Sequence, residues 1–276
     1  MKRKIWITGW MLCLATITRS QELYIFSDPA SNVPAKSLSA KLTMRLADNQ
    51  LTGKLNQRYM PELMAGISKS LMFRASTSFS DFYSDRLRWE SVKGYLKWRF
   101  YSQDGIHRHF RMAAFVDGAY SRNDLVFDEM NLDGDNSGIQ AGIIGTQLVN
   151  KLAVSGTASL MRVFDEKFGT VHGAMHDQNA FNYSLSAGYL LFPRNYSDYE
   201  QVNLNLYVEL LGMKGLERGM YYMDVAPALQ LIFNSSSKLN LGARFEAGGN
   251  MDRIARNNYF LSFESTFLNA FGKKRK

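Results

Sequence analysis

Val202-Asn-Leu-Asn-Leu-Tyr-Val-Glu-Leu210 sets Val202, Leu204, Leu206, Val208 and Leu210 on one side of an extended chain, and Asn203, Asn205, Tyr207 and Glu209 on the other. Successive side chains of a β-strand point to opposite faces, so one face reads as oil and the other as water. Working outward, the same rhythm recurs from Ser37 to Phe271 in runs of about 10 to 14 residues, the length of a tilted membrane-spanning strand. A lipid-facing side chain must alternate with a lumen-facing one along every such strand. The expected fold class is all-β: a closed antiparallel up-and-down transmembrane β-barrel of about 12 strands.

Period-two runs read against turn residues predict strands at 37–46, 58–68, 70–80, 90–102, 108–120, 137–149, 151–164, 179–193, 201–212, 220–233, 238–248 and 257–271. The connections provide an independent check. Turns at Lys69, 102–107, Asn150, 194–200 and 234–237 fall at one end and are brief; 47–57, 81–89, 121–136, 165–178, 212–219 and 249–256 fall at the other and are mostly longer. Short periplasmic turns and longer outer loops are what such a barrel carries. Aromatics gather near the strand ends, as two interfacial girdles would: Phe73, Trp98, Phe100, Phe110, Phe192, Phe233 and Phe271 at the first end; Phe79, Trp89, Tyr120, Phe181, Tyr221 and Tyr259 at the second.

Residues 1–20 stand apart. Lys2, Arg3 and Lys4 precede a short apolar run, and Thr18-Arg-Ser20 offers small residues before Gln21, which reads as a signal peptide cleaved near Ser20/Gln21. The run is shorter than the ~20 residues of a spanning helix. Cys13 is the only cysteine of the 276 residues and lies within that run, so disulfide and thiol chemistry are not expected downstream. The expected organisation is signal peptide 1–20, a periplasmic N-terminal segment 21–36, the barrel 37–271 and a basic tail 272–276.

The net charge of +8 invites a nucleic-acid reading, but its distribution removes it. Of 33 basic residues, four stand in 1–20 and four in the tail, so the body balances its 25 acidic residues one for one. No basic stripe remains to displace counterions from a phosphate backbone. The partners expected instead are outer-membrane lipid and lipopolysaccharide, the barrel assembly machinery and small solutes, around a monomer in the cell outer membrane.

The stretch Phe26-Ser-Asp-Pro-Ala-Ser-Asn-Val-Pro-Ala-Lys-Ser37, ahead of the first strand, resembles the opening of a family of uncharacterised outer-membrane β-barrel proteins of Bacteroidetes-type bacteria. The resemblance implies the barrel fold and an outer-membrane location, and it implies no substrate. The closing stretch, with Tyr259, Leu261, Phe263, Phe267 and Phe271 at alternate places, resembles the C-terminal signal read by outer-membrane assembly machinery, with five residues following the aromatic.

Carrying the inward face round the barrel puts Lys41, Arg45, Arg74, Lys93, Lys97, Arg99 and Arg111 in the lumen from the first five strands, and Glu209, Asp224, Glu246 and Glu264 from the last four. Glu62, Asp117 and Arg244 break the segregation. A basic wall meeting an acidic one has two readings. It can orient small polar or amphipathic solutes in a narrow pore or transporter, with Lys97 and Arg99 against open water; or the charges pair and fill the lumen of a non-conducting structural or surface-interaction barrel. Twelve strands do not decide, since eight are filled by side chains and 16 leave a channel.

Other constellations are thinner. His107 with His109, and His172 with His176, offer two ligands each with no third residue at a persuasive spacing, so no metal site is expected. Asp124, Asp128, Glu129, Asp133 and Asp135 make an acidic outer loop that lacks the closing Glu of a calcium loop. A lipid hydrolase would draw on His176, Ser184 or Ser159, and Asn179, but no motif supports the triad. Gly142, Gly145, Gly248 and Gly249 stand in strand patterns, and no cofactor fingerprint is present.

Overall fold

The computed structural model describes residues 24–50, 52–106, 108–124, 126–164, 176–193 and 201–271. The expected signal peptide and the basic tail lie outside these, as do His107, His172 and most of the seventh strand's outer loop.

Twelve strands follow in order: β1 (Leu38–Asp48), β2 (Leu55–Gly66), β3 (Leu71–Ser80), β4 (Arg88–Gly105), β5 (Arg108–Ser121), β6 (Gly138–Val149), β7 (Leu152–Val163), β8 (Asn179–Phe192), β9 (Asn203–Gly215), β10 (Tyr221–Phe233), β11 (Ser237–Gly249) and β12 (Asn257–Phe267). Each pairs antiparallel with its sequence neighbours, and β12 closes on β1 with Lys41 opposite Glu264 and Leu42 opposite Phe263. Closure leaves no sheet edge, the condition for a β-structure in hydrocarbon, where no water can serve an unpaired backbone group.

The predicted rhythm is realised in β9. Leu206, Val208 and Leu210 are 37–44% exposed on the outside, while Tyr207 and Glu209 are buried inside. The same outward face carries Leu42, Leu96, Val116, Ile143, Leu185, Leu229 and Leu261, which together form an apolar belt around the barrel. A soluble protein does not expose so continuous an apolar surface, so the belt is a membrane-facing one. Aromatics are exposed at both ends of it, with Trp98 and Phe192 at the short-turn end and Trp89, Tyr120, Phe181 and Tyr221 at the long-loop end. Trp89 stacks on Tyr120, 6.4 Å between ring centroids.

Two boundaries differ from expectation. β4 runs on to Gly105, because β5 keeps pairing with it down to Arg108. β12 stops at Phe267, so Phe271 is not its terminal residue. Leu38, opposite Phe267, is the first residue of β1, and the preceding chain has already turned away from the wall. Asn269 adopts a left-handed conformation and the Phe271 amide instead donates to the Lys36 carbonyl.

That turn also accounts for the largest departure. The segment 21–36, expected in the periplasm, runs inside the barrel over its described part, 24–36. It leaves the wall at Lys36, whose positive φ and bond to the Gly66 carbonyl redirect the chain inward. Gly66 is required there: a Cβ on it would fall 2.1 Å from the Pro34 oxygen.

Candidate functional site

The lumen is a sequence of docked polar groups around one chamber. Hydrogen bonds and ion pairs from wall side chains tie the N-terminal segment to six strands, β3 to β6, β8 and β9. Glu209, fully buried on β9, accepts the backbone N–H groups of Ile25, Phe26 and Ser27 at 2.9, 3.0 and 2.9 Å, and the hydroxyls of Ser27 and Ser186 at 2.6 and 3.0 Å. Lys97 on β4 donates to the carbonyls of Pro29 and Ser31, both at 2.8 Å. Thr146 on β6 accepts from Ala30 N, Arg74 on β3 pairs with Asp28 at 3.1 Å, and Arg111 on β5 donates to Ser31 Oγ. Tyr24 packs edge-on against Tyr207, and Phe26 against Phe260.

From the long-loop end, the β5–β6 connection folds inward. Arg58 on β2 is fully buried, with Nε on Glu90 of β4 at 2.8 Å and both terminal nitrogens on Asp135 of the loop, while its guanidinium stacks on Phe82. Arg253, on the β11–β12 connection, joins Glu129 of the loop to Asp224 and Glu246 on the wall. Gly134 closes the turn beside Arg58 with φ +126°, where a Cβ would lie 2.8 Å from the Arg58 Cζ. Gly134→Ala combines a disfavoured backbone conformation with that clash, and is expected to destabilise the folded loop by about 1–3 kcal/mol. Faster proteolysis within 126–136 is the readout; an unchanged cleavage rate would contradict the assignment.

Of the sequence-predicted lumen residues, Lys41, Arg45, Arg74, Lys93 and Arg244 line the chamber, and the set does not form two opposed walls. Lys41 pairs with Glu62 on the adjacent β2 at 3.3 Å, Arg74 also reaches Glu62 at 3.6 Å, and Lys93 bonds Asp133 of the loop. On the far side Glu264 takes Lys238 at 3.0 Å, Asp224 takes Arg244, and Glu246 takes Arg253 and Arg256. Side chains opposite one another on neighbouring strands lie close enough to pair, so Glu62, Asp224 and Glu264 each find a cation on an adjacent strand. Lys97 is only 2% exposed and holds backbone carbonyls, so it does not line open water. Arg99, at the short-turn end, donates to the Lys69 carbonyl, and Arg111 also reaches Asp104.

The acidic loop is spent on these contacts: Asp128 on His176 and Arg218, Glu129 on Arg253, Asp133 on Lys93 and Asp135 on Arg58. Of the histidines that lie among the described residues, His109 bonds Asp104 and His176 bonds Asp128. The hydrolase constellation is not brought together. His176 is engaged by Asp128 and Asn179 by Glu217, while Ser159 and Ser184 face the chamber.

Between the inner segment (24–28) and the outer loop (129–133) lies a cavity of ≈340 Å³ to which every strand contributes. Five cationic and five anionic side chains line it. Burial alone raises the Asp28 carboxyl, but Arg74, Lys97 and Lys41 outweigh it and hold the group well below the usual carboxylate range. Glu129 is lowered in the same way, burial opposing and Arg253 and Arg244 prevailing. A carboxylate depressed in the folded state stabilises fully above its unfolded value and loses that contribution as pH falls through the folded one. Both luminal closures are thus expected to hold unchanged from pH 7 to 5 and to loosen only below about pH 4. Rate-corrected hydrogen exchange of 24–36 and 126–136 measures this; opening between pH 7 and 5 would contradict it.

With this geometry in view, the fold finds company among solved structures. An outer-membrane channel from Pseudomonas putida F1 superposes with a TM-score of 0.58 at 10% identity, over 88% of this chain and 100% of that one. The likeness is one of fold. The KdgM porin (TM-score 0.47, 10% identity, 83% and 99% covered) and the β domain of the Bordetella autotransporter BrkA (0.48, 10%, 84% and 99%) are looser matches. No protein-family profile and no curated protein matches the sequence. The chain is a closed 12-stranded barrel of the outer-membrane type.

Neither the inner segment's docking nor Arg58 and Arg253 was legible as part of the site. Arg58 stands at the edge of a predicted strand and Arg253 in a predicted loop. The one available signal was an acidic loop of five carboxylates with no cations of its own sufficient to balance them.

Proposed function

We propose that the protein is an outer-membrane passage for small polar or amphipathic solutes, a narrow pore or transporter whose route runs through the luminal chamber. The observation that carries this is the unsatisfied polarity of the chamber wall. Thr43, Asp117, Thr157 and Asn182 line the cavity, and one side-chain oxygen of each is buried without a hydrogen-bond partner. Buried polar groups in a lumen that serves only to hold the barrel together are paired off; a polar, charged wall left incompletely paired around a space of this size suits a polar occupant. Export through the 1–20 signal, insertion by the assembly machinery, a monomeric state and a lipopolysaccharide-facing outer rim complete the reading, as does an origin in a Bacteroidetes-type bacterium.

Liposome swelling tests it. Purified, folded protein is expected to admit solutes of amino-acid size and to exclude a trisaccharide. No uptake of any solute, by the full chain and by a chain lacking 24–34, would remove the passage reading.

A second reading, a non-conducting structural or surface-interaction barrel, is favoured by one specific observation: the number of independent ties on the luminal segment. Under it, loss of the segment leaves the barrel non-conducting.

A further inference from the structure

We infer that the luminal chamber selects neutral, hydroxylated solutes of monosaccharide size over charged ones. This rests on the chamber being the solute route and names what the route prefers.

The five cations and five anions of the chamber wall are already met by one another or by their neighbours. Lys41 and Arg74 share Glu62 at 3.3 and 3.6 Å, Arg74 also holds Asp28 at 3.1 Å, and Lys93 bonds Asp133 with Asp117 at 3.9 Å. Arg244 bonds Asp224, and Glu129 lies 3.5 Å from Arg244 and 3.1 Å from Arg253. Arg45 is met electrostatically by Asp135 and Glu129, and its Nε donates to Asn258 Oδ1 at 2.7 Å. A charged solute entering this space leaves its water and finds every counter-charge spent, so it is uncompensated unless it breaks a pair in the wall. A neutral solute meets no such cost.

The charges are also confined to one arc of the closed sheet. Those borne by strands stand on β1 to β5 and β11, and the chamber-lining residues of β6 to β10 carry none. That second arc presents amides and hydroxyls instead, Gln140 of β6, Ser159 of β7 and Ser184 of β8 among them, and Gln140 and Ser184 are half-buried rather than sealed. A hydroxyl both donates and accepts, and so does a side-chain amide, so a solute bearing several hydroxyls can bond this arc in either sense without carrying charge. The half-buried rings of Phe115 and Phe260 add apolar surface to the lining, on which the C–H face of a sugar ring can pack. A wholly apolar solute would leave the amides and hydroxyls without partners. At ≈340 Å³ the space lies near the lower end of small-molecule sites, about 300–1,000 Å³, which suits one sugar ring and not a chain of them.

Tracer uptake into proteoliposomes of the full chain, in mildly acidic buffer and without a membrane potential, tests the inference with three solutes of similar shape: glucose, protonated glucosamine and glucuronate. Glucose is expected to enter at least about tenfold faster than either charged form, because only the charged forms give up hydration without a free partner. Glu62→Gln, which takes the ion-pair partner from Lys41, should raise glucuronate entry selectively. Lys93→Gln, which takes the cation from Asp117 and Asp133, should raise glucosamine entry selectively. Equal entry of the three sugars, or faster entry of a charged one, overturns the selectivity and leaves the passage reading in place, and that comparison uses the unaltered protein even if a variant misfolds. If none enters, the passage reading falls, and calorimetric titration of the folded chain with the same sugars decides the site: saturable binding confined to glucose upholds it, and absent or equal binding overturns it.

Discussion

Replacing Glu209 by alanine is expected to release the N-terminal segment from the lumen while leaving the barrel closed. Glu209 is fully buried, and no cation pairs with it among the described residues; its two oxygens are satisfied by three consecutive backbone N–H groups and two hydroxyls. Backbone donors converging on a carboxylate are a strong, charge-assisted arrangement. Removing the acceptor orphans all three N–H groups, at about 1–3 kcal/mol each. The segment's other ties involve carbonyls, Ala30 N, and the side chains of Asp28 and Ser31, so none of them can take these donors over. The barrel ladder does not pass through the Glu209 side chain and stays intact.

Ala30, with no exposed surface, reports the change. Because Cys13 is the only cysteine in the sequence, an Ala30→Cys variant downstream of it offers a single labelling site once residues 1–20 are removed. Maleimide labelling of that cysteine is expected to be slow in the parent and at least about tenfold faster with Glu209→Ala, with Glu209→Gln between them because one acceptor oxygen remains. Equal labelling rates in all three would show that the segment is held by something else.

The second large effect is expected at Arg58. Its guanidinium makes one bond to Glu90 and a two-pronged contact with Asp135, all without solvent exposure of the arginine. Arg58→Met keeps much of the side-chain volume but strands two carboxylates. Breaking a buried ion pair from one side costs about 3–5 kcal/mol, because the abandoned charge remains buried. The loss should fall on the β5–β6 connection, since Asp135 belongs to the loop whereas Glu90 lies within β4 between the paired residues Trp89 and Ser91. Hydrogen exchange in 126–136 is expected to rise sharply while β9 and β10 stay protected. Combining Arg58→Met with Asp135→Asn should cost clearly less than the sum of the single changes; strict additivity would mean that the two side chains do not depend on each other.

The wall of this barrel was largely legible in the sequence and its filling was not, for one physical reason. A strand between lipid and lumen imposes a period of two on side-chain polarity, and a period is visible without knowing what lies across the lumen. Leu206, Val208 and Leu210 announce lipid, and Asn205, Tyr207 and Glu209 announce the interior. What meets Glu209 is backbone: the N–H groups of Ile25, Phe26 and Ser27 would be the same with other side chains, so the composition of 24–36 carries no sign of docking. The expected basic and acidic walls failed for a related reason. Inward orientation is set by alternation, but pairing is set by register, and Lys41 meets Glu62 on the next strand before any charge across the lumen. Arg45 is the instructive case: it is legible as inward, and only the structure shows that its register neighbour is another arginine.

The most direct test of the account is single-channel conductance of the full chain beside a chain lacking residues 24–34, both refolded and inserted into planar bilayers. The account predicts small or intermittent conductance from the full chain, and a several-fold larger, steadier conductance once the segment and its ties to Glu209, Lys97 and Thr146 are gone. A deleted chain that folds as a barrel and still passes no current would contradict it.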